Sequence, residues 1–228
     1  MIGVLRAARL RLLRDDRGIT LVELIVAMTL GVLVLAMAGS FLIASQRASA
    51  TARGVNDSTR SAAAAMNEIT RLVRSATDNP VATGDTPQSA FQYASATTVR
   101  FFTFVNTADT VTKPVQVQLT LDPARRTITE RTWVGAPVSR SDYYSFPLSA
   151  GATLTATPTT TRVIASDVVS SVLFAYSDGA AVLGSDVTPV AAAKLAAVRR
   201  VTVQVTTGVS RTDPNATTLT NAVNLPNL

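Results

Sequence analysis

Hydrophobic and polar positions along this chain follow three successive rhythms. From Ile19 to Gln46 the residues are mostly apolar, and the sole charged side chain is Glu23. Leu24 to Ser45 supplies 22 residues, where about 20 apolar residues cross a bilayer as a helix. A polar stretch follows, Gln46 to Thr59, with one glycine (Gly54) and one Asn-Asp pair. Then Ala62, Met66, Ile69, Val73 and Ala76 recur at spacings of three and four, the stripe of an amphipathic helix. Glu68 stands three residues before Arg71, so the two pair on the helix surface. Asp78-Asn79-Pro80 predicts the stop. The spacing thus predicts one long helix from Thr20 to about Thr77, loosened near Gly54 and roughly 87 Å long at 1.5 Å per residue.

Beyond residue 80 the period changes to two. Val115, Val117, Leu119 and Leu121 alternate with Gln116, Gln118 and Thr120, which predicts a half-buried strand. Asp122-Pro123-Ala124-Arg125 predicts a turn, and Thr127 to Val134 the returning strand of a hairpin. Val99 to Val105 reads as an earlier strand. Val172, Phe174 and Tyr176 predict another that ends at Ser177-Asp178-Gly179. Val201, Val203 and Val205 predict the next, and Leu219, Val223 and Leu225 a short last one. Gly135 to Thr161 carries little periodicity. Thr155 to Thr161 reads as a solvated loop, with decoration by sugars the open alternative. The fold class is therefore α+β: a long N-terminal helix whose second half packs on an antiparallel sheet.

Charge and composition narrow the chemistry. The formal net charge is +6, and residues 1–18 hold half of it, with Arg6, Arg9, Arg11, Arg14 and Arg17 against Asp15 and Asp16. The remaining +3 is too little to suggest nucleic-acid binding. Five arginines ahead of the apolar span keep the N-terminus in the cytoplasm and send the C-terminus out. The chain has no cysteine and no histidine. That removes disulfides, Cys/His and Ser/His nucleophilic machinery, and the commonest metal ligand. No Gly-x-Ser-x-Gly elbow and no phosphate-cradling glycine loop is present. About 150 residues after the helix suffice for one self-sufficient core.

An acid inside an apolar span is costly and marks a function whose partner must be named. The natural partner of Glu23 is an amine. Cutting after Gly18 would create one at Ile19, four residues earlier and roughly 6 Å along a helix. The run Arg17-Gly18-Ile19-Thr20-Leu21-Val22-Glu23-Leu24-Ile25 resembles the N-terminus of the type IV prepilin family, which includes pilus subunits and type II secretion pseudopilins. The resemblance implies a leader ending at Gly18, cleavage between Gly18 and Ile19 by a membrane-embedded aspartic peptidase, methylation of the new Ile19 amine, and Glu23 as the glutamate used in assembly. The family usually begins its mature chain with Phe; here Ile19, another apolar residue, stands in that place.

The order of later elements resembles, more weakly, the J-type minor pseudopilins and W-type minor pilins. Leu72-Val73-Arg74, Val168 to Tyr176 with Asp178-Gly179, Val198 to Thr206 and Thr220 to Leu228 carry that likeness. Glu23 argues against the K-type tip pseudopilin. The implied organisation is a leader at 1–18, a transmembrane helix half at 19–46, an amphipathic half at 47–79 and an extracytoplasmic antiparallel β domain at 80–228. The implied function is a minor pilin or pseudopilin, a structural subunit rather than an enzyme. It needs no cofactor, and its partners are prepilin peptidase, other pilin or pseudopilin subunits, an assembly-platform membrane protein and the lipid bilayer.

Other readings stand beside it. An ordinary secretory signal could be cut at Ala48-Ser49-Ala50, but its apolar core is only 7–15 residues long, and that reading leaves Glu23 unexplained. A single-pass anchor carrying an adhesin or binding domain remains the alternative. Ala27 and Gly31 form a small-xxx-small pair through which helices approach closely, or else Gly31 is a tolerated membrane glycine. Asp178 and Asp186 lack the acid spacing of a calcium loop, and a solvated turn explains them better. Trp133 reads as packing.

Overall fold

One α-helix, α1 (Leu21–Arg74), runs for 54 residues. The computed structural model describes residues 18–82, 86–104, 113–225 and 228. The arginine-rich leader up to Arg17, the end of the strand expected at Val105, and Pro226–Asn227 near the C-terminus lie outside the described residues. The chain divides into two compact units between Thr51 and Ala52, within α1.

In the first unit every described residue is exposed. An 18-residue window of α1 has a mean hydropathy of 2.5, so the helix is long and apolar enough to cross a membrane. Two polar side chains of its apolar span bond the helix backbone. Thr29 Oγ1 donates to the Ile25 and Val26 carbonyls at 3.0 and 2.9 Å, and Ser40 Oγ to Met37 O at 2.8 Å. Such internal pairing suits a helix in lipid, where no water is available.

In the second unit the expected stripe is the buried face of α1. Ala62, Ile69, Val73 and Ala76 are fully buried and Met66 nearly so; Ala65 and Leu72 widen the face. Two features differ from expectation. The helix does not loosen at Gly54, whose bare Cα faces Val209; a Cβ there would meet only Val209 Cγ2, at 3.9 Å. The helix also stops at Arg74, ahead of Asp78-Asn79-Pro80. Ser75 and Ala76 close the last turn by donating to Leu72 and Val73 three residues back. The chain then joins the sheet: Ala76 bridges Thr103, and the Thr77 amide donates to Phe102 O at 3.0 Å. The strand edge thus takes over the backbone groups that a longer helix would have used.

Two larger antiparallel sheets form where one was expected. The first has five strands in the order β1-β2-β3-β4-β7: β1 (Phe91–Ala94), β2 (Thr98–Thr103), β3 (Val115–Asp122), β4 (Thr127–Val134) and β7 (Thr160–Ala165). The second has four in the order β11-β10-β8-β9: β8 (Phe174–Ser177), β9 (Val182–Leu183), β10 (Arg200–Thr207) and β11 (Thr217–Asn224). A short pair, β5 (Ala136–Pro137) and β6 (Tyr144–Ser145), stands apart. Val117, Leu119, Leu121, Val201, Val203 and Val205 join the α1 stripe in one core. The β3–β4 hairpin turns where expected, with Asp122 Oδ1 accepting the Ala124 and Arg125 amides at 3.0 Å each. The strand expected from Val172 begins at Phe174, and β11 is longer than the short strand expected.

The segment after β4 departs most from the reading. Thr160 and Thr161 belong to β7, paired with Thr132 and Arg131, instead of continuing a solvated loop. The stretch 135–158 covers the second face of the five-stranded sheet. Phe146 packs on Phe102 with ring centroids 5.0 Å apart. A Cβ at Gly135 would lie 2.7 Å from Phe146 Cζ and from Tyr144 Cβ, so glycine lets the cover close. Under it, Arg100 is fully buried. Its guanidinium donates to Gln118 Oε1 at 3.2 Å, to Gly151 O at 2.9 Å and to Ser149 O. Trp133 packs as expected, 4% exposed, with Nε1 donating to Ala156 O at 3.1 Å.

Candidate functional site

Gly18, Ile19 and Thr20 precede α1 and are exposed, Ile19 by 76%. Among the described residues nothing lies within 4 Å of where a Gly18 Cβ would stand. The helix starts through a reciprocal cap. Glu23 N donates to Thr20 Oγ1 at 3.2 Å, and the carboxylate Oε2 accepts from Thr20 N at 3.1 Å and from Thr20 Oγ1 at 3.0 Å. This Thr-x-x-Glu capping box satisfies amides that the first helical turn leaves without partners.

Of the expected site residues, the structure therefore brings Glu23 to Thr20. Thr20 was missed as a partner, although Thr followed three residues later by Glu ahead of an apolar run is a legible capping signal. Ala27 and Gly31 lie one turn apart on the exposed helix, and a Gly31 Cβ would meet nothing within 4 Å.

A second charged group lies in the other unit. Arg71 donates to both oxygens of Glu68, Nε at 3.0 Å and Nη2 at 2.8 Å, as the spacing predicted. Arg162 of β7 also reaches Glu68, and its Nε donates to Glu130 Oε2 at 2.8 Å. Glu130 is 8% exposed. The Arg71 hydrogen bond, against an opposing burial effect, holds the Glu68 carboxyl below its ordinary value. This cluster ties α1 to the five-stranded sheet. Asp178 serves its own turn, accepting the Ala180 and Ala181 amides at 2.9 and 2.7 Å, which lowers its pKa. Among the described residues no group of three or more acids is placed to hold a metal ion.

Residues 13–39 match the family model of the prokaryotic N-terminal methylation motif. That stretch contains Gly18, Ile19, Glu23, Ala27 and Gly31. No curated protein matches the chain. With the α+β arrangement and the apolar N-terminal helix, the match supports a membrane-anchored, type IV pilin-like precursor.

Proposed function

We propose that this protein is a minor pilin or pseudopilin, a structural subunit of a type IV pilus or type II secretion filament. The match across residues 13–39 carries the reading. Prepilin peptidase removes residues 1–18 and methylates Ile19. The subunit then waits in the cytoplasmic membrane through residues 19–46, with residues 47–228 outside. During assembly the apolar helices bundle, and protein contacts replace lipid contacts. Glu23 pairs with the Ile19 amine of a neighbouring subunit, because a buried carboxylate is unfavourable without a charged partner. Ala27 and Gly31 let a second helix approach closely.

The exposed apolar surface of the first unit supports this reading. Every large apolar residue from Leu21 to Phe41 is exposed, from 49% at Val26 to 76% at Phe41. The membrane-anchored adhesin is the second reading, favoured by the same helix without the cleavage. The N-terminus of the protein extracted from its native membrane decides between them. Ile19 is expected; Met1 would favour the anchor, and Thr51 ordinary secretion.

A further inference from the structure

The last strand leaves an open edge that the proposed assembly contacts do not use. Four strands end the two larger sheets, and three of them are guarded. β1 has four residues and a shifted register, and the Val190 amide closes its end by donating to Ala94 O at 2.8 Å. β7 carries Arg162 and shifts register against β4. β9 is two residues long. β11 differs: its eight residues pair with β10 in unbroken register and include no charge, proline or glycine. Charges, proline, irregular register and shortness are the devices by which sheet edges avoid new partners, and β11 has none of them.

Two hydrogen bonds fix where its free backbone groups point. The Leu225 amide donates to Arg199 O at 3.0 Å, and on the other side of β10 the Gln204 amide donates to Leu173 O at 2.9 Å. Bonded pairs alternate in an antiparallel ladder, so odd-numbered residues of β10 bond β11 and even-numbered ones bond β8. The amides and carbonyls of Thr218, Thr220, Ala222 and Asn224 therefore turn outward, away from β10. Among the described residues no backbone group bonds them. Their side chains are all exposed, and the row spans about 20 Å. On the opposite face Leu219 is half-buried against the core, and Asn221 Nδ2 donates to Thr70 Oγ1 of α1 at 3.2 Å. At the end of the row Arg200 Nε donates to Asn224 Oδ1 at 2.9 Å, and Arg200 forms no ion pair among the described residues.

We propose that the β11 edge takes an extended segment of a partner protein as a further strand, antiparallel like every pairing in this sheet. The proposal does not rest on the pilin reading. Main-chain hydrogen bonds give strand addition its affinity, and alternate side chains give it specificity. Partner residues opposite Val223, Asn221 and Leu219 lie on the α1 side and are apolar, because they extend the half-buried surface there. Those opposite Ala222, Thr220 and Thr218 face water and are polar. The residue opposite Asn224 stands beside the Arg200 guanidinium, which lacks a carboxylate, and is an acid. The partner segment thus begins with an acid and then alternates apolar and polar residues.

The probe is the peptide acetyl-Glu-Val-Thr-Val-Thr-Val-Thr-amide, added in excess to the full-length protein in detergent micelles and followed by amide hydrogen exchange at single residues. Exchange at Thr218, Thr220, Ala222 and Asn224 is expected to slow about threefold or more. Leu219, Asn221 and Val223, already held by β10, should not change. A peptide with Lys in place of Glu should protect less. Thr220→Pro removes one outward N–H and no bond of the β10 ladder, a position where edge strands tolerate proline. It is expected to keep the wild-type circular dichroism spectrum and to lose the protection at Thr218 and Ala222. No slowing with excess peptide, slowing unchanged in a folded Thr220→Pro, or equal effects of the Glu and Lys peptides would overturn the proposal. So would protection of the four amides before peptide is added together with a doubled protein mass, because the edge would then belong to a second copy.

Discussion

Thr20 and Glu23 hold each other at the start of α1: the Glu23 amide donates to Thr20 Oγ1 at 3.2 Å while the Glu23 carboxylate receives the Thr20 amide at 3.1 Å. The carboxylate proposed to recruit a neighbour is thus already engaged in its own helix. Entering a filament would exchange neutral donors for an ammonium group, and charge-assisted hydrogen bonds are the stronger kind.

That exchange separates capping from assembly. Thr20→Ala removes the hydroxyl half of the cap and weakens the helix start by about 1 kcal/mol. Recruitment should stay within roughly twofold of wild type, since a helix held by bilayer and neighbours absorbs that loss. Glu23→Gln retains a capping side chain but loses the charge. Leaving one partner of a buried pair alone costs about 3–5 kcal/mol, so recruitment should fall tenfold or more. The ratio of filament-bound to membrane-pool protein reads both. Equal recruitment of Glu23→Gln and wild type would reduce Glu23 to a cap.

Gly18 concerns processing alone. The proposed scissile bond follows it, and a branched side chain there should crowd the peptidase cleft. Gly18→Val is expected to keep residues 1–18 attached, read as intact mass after membrane extraction. Folding of the second unit should be unchanged, because among the described residues nothing lies within 4 Å of where a Gly18 Cβ would stand. Cleavage at wild-type efficiency would contradict the assignment of the leader.

Residues 47–228 should fold without the apolar half of α1, since the core is built from residues of the second unit. Circular dichroism should show mixed α and β signals and one cooperative melt. Reductant should not shift it, because the chain has no cysteine. Ile69, fully buried at the centre of the stripe, is the sensitive position: Ile69→Ala should lower stability by about 2–5 kcal/mol. A fragment that stays disordered, or an Ile69→Ala loss well below that range, would contradict this account of the core.

Acid should loosen the helix–sheet contact at Glu68. Its carboxyl is held below the ordinary value of 4.5, chiefly by the Arg71 hydrogen bond. Stability from a lowered carboxyl is fully present above the unfolded pKa and is lost as pH falls through the folded one. Denaturant midpoints of the 47–228 fragment should therefore drop on acidification through and below 4.5. Glu68→Gln should be less stable at neutral pH and lose less on acidification. Parallel curves for the two proteins would show that the cluster contributes no such linkage.

Gln116 makes the opposite kind of prediction. It is fully buried beneath the covering segment, and neither amide atom has a hydrogen-bond partner. An orphaned buried polar group costs about 1–3 kcal/mol. Gln116→Met, similar in volume, should leave stability equal or raise it, measured by urea denaturation. A clear loss would show that the amide is satisfied in solution.

The elements that sequence alone determined are those whose information is local. The apolar run from Ile19, the stripe Ala62, Met66, Ile69, Val73 and Ala76, and the alternations in β3 and β10 each specify a buried face by their period. The turn at Asp122 follows from its side chain bonding amides two and three residues on. The Thr20–Glu23 cap was equally local, so it was legible though passed over. The end of α1 was less so, because it depended on where β2 would lie.

Tertiary structure decided what covers each face. Period-two alternation says that Gln116, Gln118 and Arg100 lie opposite the core side, and by itself sends them to solvent. They are buried because the chain returns: Ser149 and Gly151 supply carbonyls to Arg100 from 49 and 51 residues away. The division into two sheets and the reach of Arg162 from β7 to Glu68, 94 residues apart, have the same origin. Such pairings are selected by how well distant segments together bury apolar surface and satisfy polar groups, and no window of neighbouring residues contains that choice.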